Sequence, residues 1–261
     1  MKTRKLKIAI SSALLASGLM LSSCGVDQFV SDIVSEVVES ATGFAWDEMG
    51  GGERVRLAEG DLTGAIDLRA ILVNNAISIQ HHNQNNVVIE YSPPTRGQYT
   101  TPTAQFVDGS GHIHIAEERS NIVIGGNNQP GVVFVYLPQG MDPLAALDIQ
   151  STNGGARITG SGQTLAHSVE IGITNGMVNL QSFAAQAIAV TNTNGTIVAD
   201  DIATDADTSL RTTNGTITLR NSSIQGDLTA RTTNGVVTVE NVEFDLDNAD
   251  IRATNGTVNI R

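Results

Sequence analysis

The sequence predicts an all-β fold, a single-stranded parallel β-helix or β-solenoid with coils of about 20 residues, preceded by a short amphipathic α-helix. Three observations predict it: a tripeptide that recurs at near-constant spacing, strict alternation of apolar residues after each recurrence, and turn chemistry within the tripeptide itself. Thr-Asn-Gly stands at Thr152-Asn153-Gly154, Thr174-Asn175-Gly176, Thr193-Asn194-Gly195, Thr213-Asn214-Gly215, Thr233-Asn234-Gly235 and Thr254-Asn255-Gly256. Successive glycines are 22, 19, 20, 20 and 21 residues apart. A fixed period of this kind marks a repeat architecture in which each unit stacks on the next.

Within each unit the alternation defines the faces of a strand. Ala156, Val178, Ile197, Ile217, Val237 and Val258 form one apolar column. Two residues later, Ile158, Leu180, Ala199, Leu219, Val239 and Ile260 form a second, so both are expected to point inward. The residues between and after them are mostly polar, among them Asp200, Arg220, Glu240 and Arg261, which alternate in sign in one outward column and predict an ionic ladder between adjacent strands. The β-branched, period-two pattern excludes helical repeats.

The tripeptide is expected at the corner of each coil. Gly, and after it Asn, best tolerates the positive φ that a tight corner demands. Stacking would also bring Asn153, Asn175, Asn194, Asn214, Asn234 and Asn255 into an amide ladder beside Gly154, Gly176, Gly195, Gly215, Gly235 and Gly256. A ligand-binding ridge made of the same residues is the alternative to this structural role.

Residues 151–261 therefore read as regular coils, and 53–150 as less regular ones. In the latter, strands are expected over 68–73, 76–80, 87–91, 112–116, 122–124 and 132–137, separated by turn signals such as Asn74-Asn75 and Pro93-Pro94. The stretch 91–108, rich in Ser, Thr, Pro and Gln, is expected to be a protruding loop.

The N-terminus carries an export signal over 1–23: Lys2, Arg4, Lys5 and Lys7 precede the apolar run 8–21. Its end, Leu21-Ser22-Ser23-Cys24, resembles the lipobox of bacterial lipoproteins. That resemblance implies cleavage before Cys24, a lipid on its thiol and an anchored, non-spanning protein. Gly25 in place of Asp implies the outer membrane or cell surface. Residues 24–52 then form a lipidated tether, with Val26, Phe29, Val30, Ile33, Val34, Val37 and Val38 at helical spacing and Gly50-Gly51-Gly52 as a joint. The acidic polar face of that helix favours capping the first coil over lying on anionic lipid.

Charge narrows the function. The chain has 15 Lys and Arg against 27 Asp and Glu, and four of the basic residues, including all three lysines, lie in the signal, leaving a net charge near −16. A surface of that sign is a poor partner for nucleic acid. Asp200, Asp201, Asp205 and Asp207 form one acidic group and Glu240, Glu243, Asp245, Asp247 and Asp250 another, but neither matches a calcium-loop pattern, so calcium is at most a weak ligand and no other cofactor is expected. His112 and His114 share a strand face and would need His81 or His82 to complete a zinc or copper site. Arg211, Arg231 and Arg252 form a like-charged column, for which Asp207 and Asp227, four residues upstream of the first two, are the expected partners. No nucleophile elbow, phosphate loop or triad order is present, so no catalytic set is assigned.

The run Val132 to Val135, Leu137-Pro138-Gln139-Gly140 and Leu147-Asp148-Ile149-Gln150-Ser151-Thr152-Asn153-Gly154 resembles bacterial envelope proteins grouped as putative adhesins of unknown function. The resemblance covers roughly 68–261 and implies a β-solenoid at the cell surface; it brings no functional residues. The expected function is that of an envelope-anchored, non-enzymatic binding protein whose partner is a glycan, an envelope polymer or a host protein. A scaffold that self-associates end to end and a carbohydrate-active β-helix enzyme are the alternatives.

Overall fold

A computed structural model describes residues 50–61, 66–95, 100–107, 111–118 and 130–261. The expected signal, Cys24, the helix over 26–41 and the strand over 122–124 lie outside the described residues. The fold is all-β, with fourteen strands in one sheet among the described residues. They are β1 (Val55–Gly60), β2 (Asp67–Leu72), β3 (Ala76–His82), β4 (Val87–Ser92), β5 (Thr103–Val107), β6 (His112–Ala116), β7 (Val132–Pro138), β8 (Leu144–Ser151), β9 (Ala156–Thr159), β10 (Thr164–Thr204), β11 (Thr208–Arg220), β12 (Ser223–Ile224), β13 (Leu228–Glu240) and β14 (Ala249–Ile260).

From β8 onward the stack follows the chain. Residues 166–173 of β10 pair in parallel with β8, and residues 178–181 pair in parallel with β9. The second half of β10 then takes β11, which takes β13, which takes β14, all parallel and in register: Ile197, Ile217, Val237 and Val258 are successive partners. Each coil has a long side before Thr-Asn-Gly, a long side after it, and a short third side, formed by β12 on Ala203 and Thr204 and by the bridge from Ser223 to Glu243.

The N-terminal strands join this stack out of chain order. β2 and β3 lie directly on β8 and β9, and β6 and β7 lie beyond them, all in parallel. The coil made earliest in the chain is therefore inserted between two later ones. Three pairs are antiparallel, in contrast to the all-parallel expectation: β5 on β6, β4 on β7, and β1 on β4. These returning strands cover the free edge of the β6 and β7 coil, an edge that would otherwise present unpaired N–H and C=O groups. β5 also corrects the expected loop over 91–108, whose first residue, Tyr91, is buried in β4. In β5, Ala104 and Phe106 alternate with the exposed Thr103, Gln105 and Val107, which is strand periodicity within a polar stretch.

The core fills the coil interior. Both predicted columns are at most 1% exposed from Ala156 and Ile158 through Val237 and Val239. At β14 they open to solvent, with Val258 38% and Ile260 55% exposed, because β14 pairs only with β13 among the described strands. Burial at that level makes each methylene matter. Leu219→Ala should lower unfolding stability by about 2 to 5 kcal/mol, whereas Ile260→Ala should cost a fraction of that. Urea denaturation of the two variants side by side checks the difference.

Candidate functional site

The corners show what Thr-Asn-Gly does. Each Asn side-chain amide donates to the side-chain oxygen of the Asn one coil earlier: Asn175 to Asn153 at 2.9 Å, Asn194 to Asn175 at 2.9 Å, Asn214 to Asn194 at 2.8 Å, Asn234 to Asn214 at 2.7 Å and Asn255 to Asn234 at 3.0 Å. The row continues into the inserted coil, where Asn153 donates to Asn74 at 2.9 Å. It ends at Glu117, whose carboxylate accepts the backbone N–H groups of Val73 and Asn74 at 2.8 and 2.9 Å.

The glycines meet the expected constraint at three of the six corners and a second one at all of them. Positive φ falls on Gly176, Gly195 and Gly235 at 150 to 157°, and on none of the tripeptide asparagines. Close approach of successive coils governs the column as a whole. A Cβ at Gly154 would lie 2.0 Å from the carbonyl oxygen of Asn75, and one at Gly215 would lie 1.7 Å from that of Gly195. No side chain fits between them.

Two further columns escaped sequence reasoning. Ser182, Asp201, Asn221 and Asn241 hold φ of 49 to 56° and turn the chain from the second side to the third. At this corner Asn241 donates to Asn221 at 2.8 Å, and Asn221 donates to Asp200 at 2.9 Å. Their spacing of 19, 20 and 20 residues was the available signal, masked by mixed residue types. Before four of the six Thr-Asn-Gly corners the preceding residue is polar and points inward: Ser151, Asn192, Thr212 and Thr232 are buried, and donate to the carbonyls of Asn75, Gly176, Gly195 and Gly215. Each donor satisfies a corner carbonyl beside the glycine contact.

The outward charges pair only in part. Arg220 donates to Asp200 at 2.9 Å, and this is the single closed rung of the expected ionic ladder. Glu240 is the register partner of Arg220, yet neither Glu240 nor Arg261 enters an ion pair among the described residues, because the guanidinium of Arg220 is turned toward Asp200. In the other basic column, Arg211, Arg231 and Arg252 are successive partners in register. Asp250 takes both Arg231 and Arg252, the latter at 2.6 Å, while Arg211 hydrogen-bonds Ser209 at 3.0 Å. The expected partners act elsewhere: Asp207 accepts the backbone N–H of Asp227 at 3.1 Å. Desolvation and the neighbouring guanidiniums of Arg252 and Arg211 hold Arg231 below its ordinary pKa.

The remaining carboxylates are dispersed. Asp245 caps the short 3-10 turn Leu246–Asn248, Asp201 sits at a corner, and Asp250 serves the arginines. Among the described residues no three His, Cys, Asp or Glu side chains are grouped to hold a metal ion. His112 contacts Asp67 at 3.0 Å on the first side of its coil, whereas His81 and His82 lie on β3, on the second side, so the histidines are not brought together. Desolvation, with His82 alongside, lowers the pKa of His81. Two open depressions lie on the first side near the corner, of about 360 and 420 Å³; the larger runs along the arginine column.

A family model described as Toastrack DUF4097 matches residues 66–261, the whole solenoid. The chain belongs to the Toastrack DUF4097 family. Two solved structures are similar to this Toastrack protein at 11% identity: a putative cell adhesion protein from Clostridium sporogenes, with a TM-score of 0.35, and a putative adhesin from Bacteroides fragilis, with a TM-score of 0.39. The first alignment covers 80% of this chain and 98% of the other, the second 82% and 99%. No curated protein matches it.

The corner of this Toastrack domain gives a graded expectation. Asn214→Ala removes two exposed amide bonds and should cost about 1 kcal/mol or less. Gly215→Ala places a methyl against backbone and should cost about 3 kcal/mol. Thermal unfolding of the two single variants tests the order, and equal effects would contradict the close-approach explanation.

Proposed function

We propose that the protein is a non-enzymatic, adhesin-like member of its family, lipid-anchored through Cys24 in the cell envelope, which presents the long sides of its solenoid to a macromolecular partner. The observation that carries this reading is the outer surface of residues 164–261. Parallel, in-register strands lay identical outward positions in continuous rows, the carboxylates stay dispersed over separate corners, and the depressions stay open. Such a surface recognises an extended partner by repetition.

A second reading, association between copies, is supported by the exposed edge of β14 and the apolar side chains of Val258 and Ile260. Binding of the mature protein to an array of glycans and envelope polymers, with and without calcium, separates the two when light scattering follows size exclusion. Saturable binding by a monomer is expected; failure to bind together with concentration-dependent polymers would favour association. Cys24→Ala should abolish incorporation of labelled fatty acid and release the protein from membranes, and retention of the label would refute the anchor.

A further inference from the structure

We infer that the groove along Arg211, Arg231 and Arg252 binds a linear, carboxylate-bearing polysaccharide laid along the solenoid axis, an assignment that rests on the binding-surface reading above. The groove is an open depression of about 420 Å³ on the first side of the coils, flanked by the corner threonines Thr213, Thr233 and Thr254. Its three arginines stand in register on neighbouring parallel strands, whose backbones run about 4.8 Å apart.

The charges do not cancel. Among the described residues Asp250 is the one carboxylate paired with the column, and it serves Arg231 and Arg252 together. The only side-chain bond of Arg211 among the described residues runs from Nε to Ser209, leaving its terminal nitrogens for a carboxylate. Like charges at strand spacing destabilise a sheet, and the pKa of Arg231 is lowered first by desolvation and then by the guanidiniums of Arg252 and Arg211. A row of anions would relieve it. This excess of positive charge lies on a chain whose formal net charge is −12, so it is a local reversal of the surface field.

The lining decides between polyanions. No aromatic side chain lines the groove, which removes the stacking platform used by single-stranded nucleic acid, and lysine is absent. What accompanies the arginines is hydroxyl chemistry, with exposed Thr213, Thr233 and Thr254 on the corner side and Thr191 at one end. Cationic forks for carboxylates beside donors and acceptors for sugar hydroxyls match an acidic glycan.

Polygalacturonate, neutral dextran, polyphosphate and duplex DNA, each titrated by calorimetry into the mature protein in detergent, test the assignment. Polygalacturonate should bind saturably and lose affinity as salt rises. Arg211→Gln should weaken it about tenfold and Arg211→Gln with Arg252→Gln further, while Arg261→Gln, outside the groove, should leave it unchanged. Circular dichroism of Arg211→Gln, whose side chain carries no ion pair, should match the parent. Dextran binding as tight as polygalacturonate, and unaffected by either groove variant, would overturn the groove while leaving the binding-surface reading intact. Binding of no polymer would overturn the groove assignment, the binding-surface reading being judged by the wider array above, and polyphosphate or DNA binding as tightly as polygalacturonate would overturn the glycan assignment.

Discussion

The architecture depends on one close approach. At every Thr-Asn-Gly corner the backbone of one coil lies against that of the next, so near that a Cβ would meet the preceding carbonyl oxygen at 1.7 to 2.0 Å. That contact holds adjacent coils in register and explains why the residue there is glycine in all six repeats. The asparagine amides and the inward hydroxyls of Ser151, Thr212 and Thr232 then satisfy the polar groups that the approach leaves at the corner. Apolar columns fill the interior only because this register places them over one another.

From that constraint follows a division of labour along each coil. Inward positions and corners are committed to stacking, and outward positions are free to vary. Yet every outward position is copied to its neighbours at strand spacing, so any charge placed there becomes a row. Arg211, Arg231 and Arg252 form such a row with one carboxylate between them, whereas Asp200 and Arg220 cancel within one step. A solenoid thus turns a short sequence choice into an extended surface feature, suited to a polymer more than to a compact ligand.

The regular half was legible because its signal is local and repeated: the columns through Ile217 and Leu219 could be drawn from spacing alone, whereas the resemblance to putative adhesins rested on the run 132–154 and the Toastrack match spans 66–261. The other half was not, since the insertion of β2 and β3 between β7 and β9 is a matter of pairing between distant segments, to which periodicity is blind. The strand β5 was obscured by its polar composition, and the second corner by the mixture of Ser182, Asp201, Asn221 and Asn241. On the surface, sequence spacing put Asp207 and Asp227 beside the arginines, but Asp250, two residues before Arg252 on the same strand face, is the one that reaches them. At β14, Val258 and Ile260 keep the inward pattern and are partly exposed, since β14 pairs only with β13 among the described strands.

A substitution scan over residues 208–240, scored in parallel for folded protein and for polymer binding, tests this division most directly. Losses of folding should concentrate at Gly215, Gly235 and the inward columns, with only slight losses at Asn214 and Asn234, while losses of binding in well-folded variants should concentrate at outward positions such as Arg211. Corner glycine substitutions that fold normally, or outward arginine substitutions that unfold the protein as severely as the corner glycines do, would contradict the account.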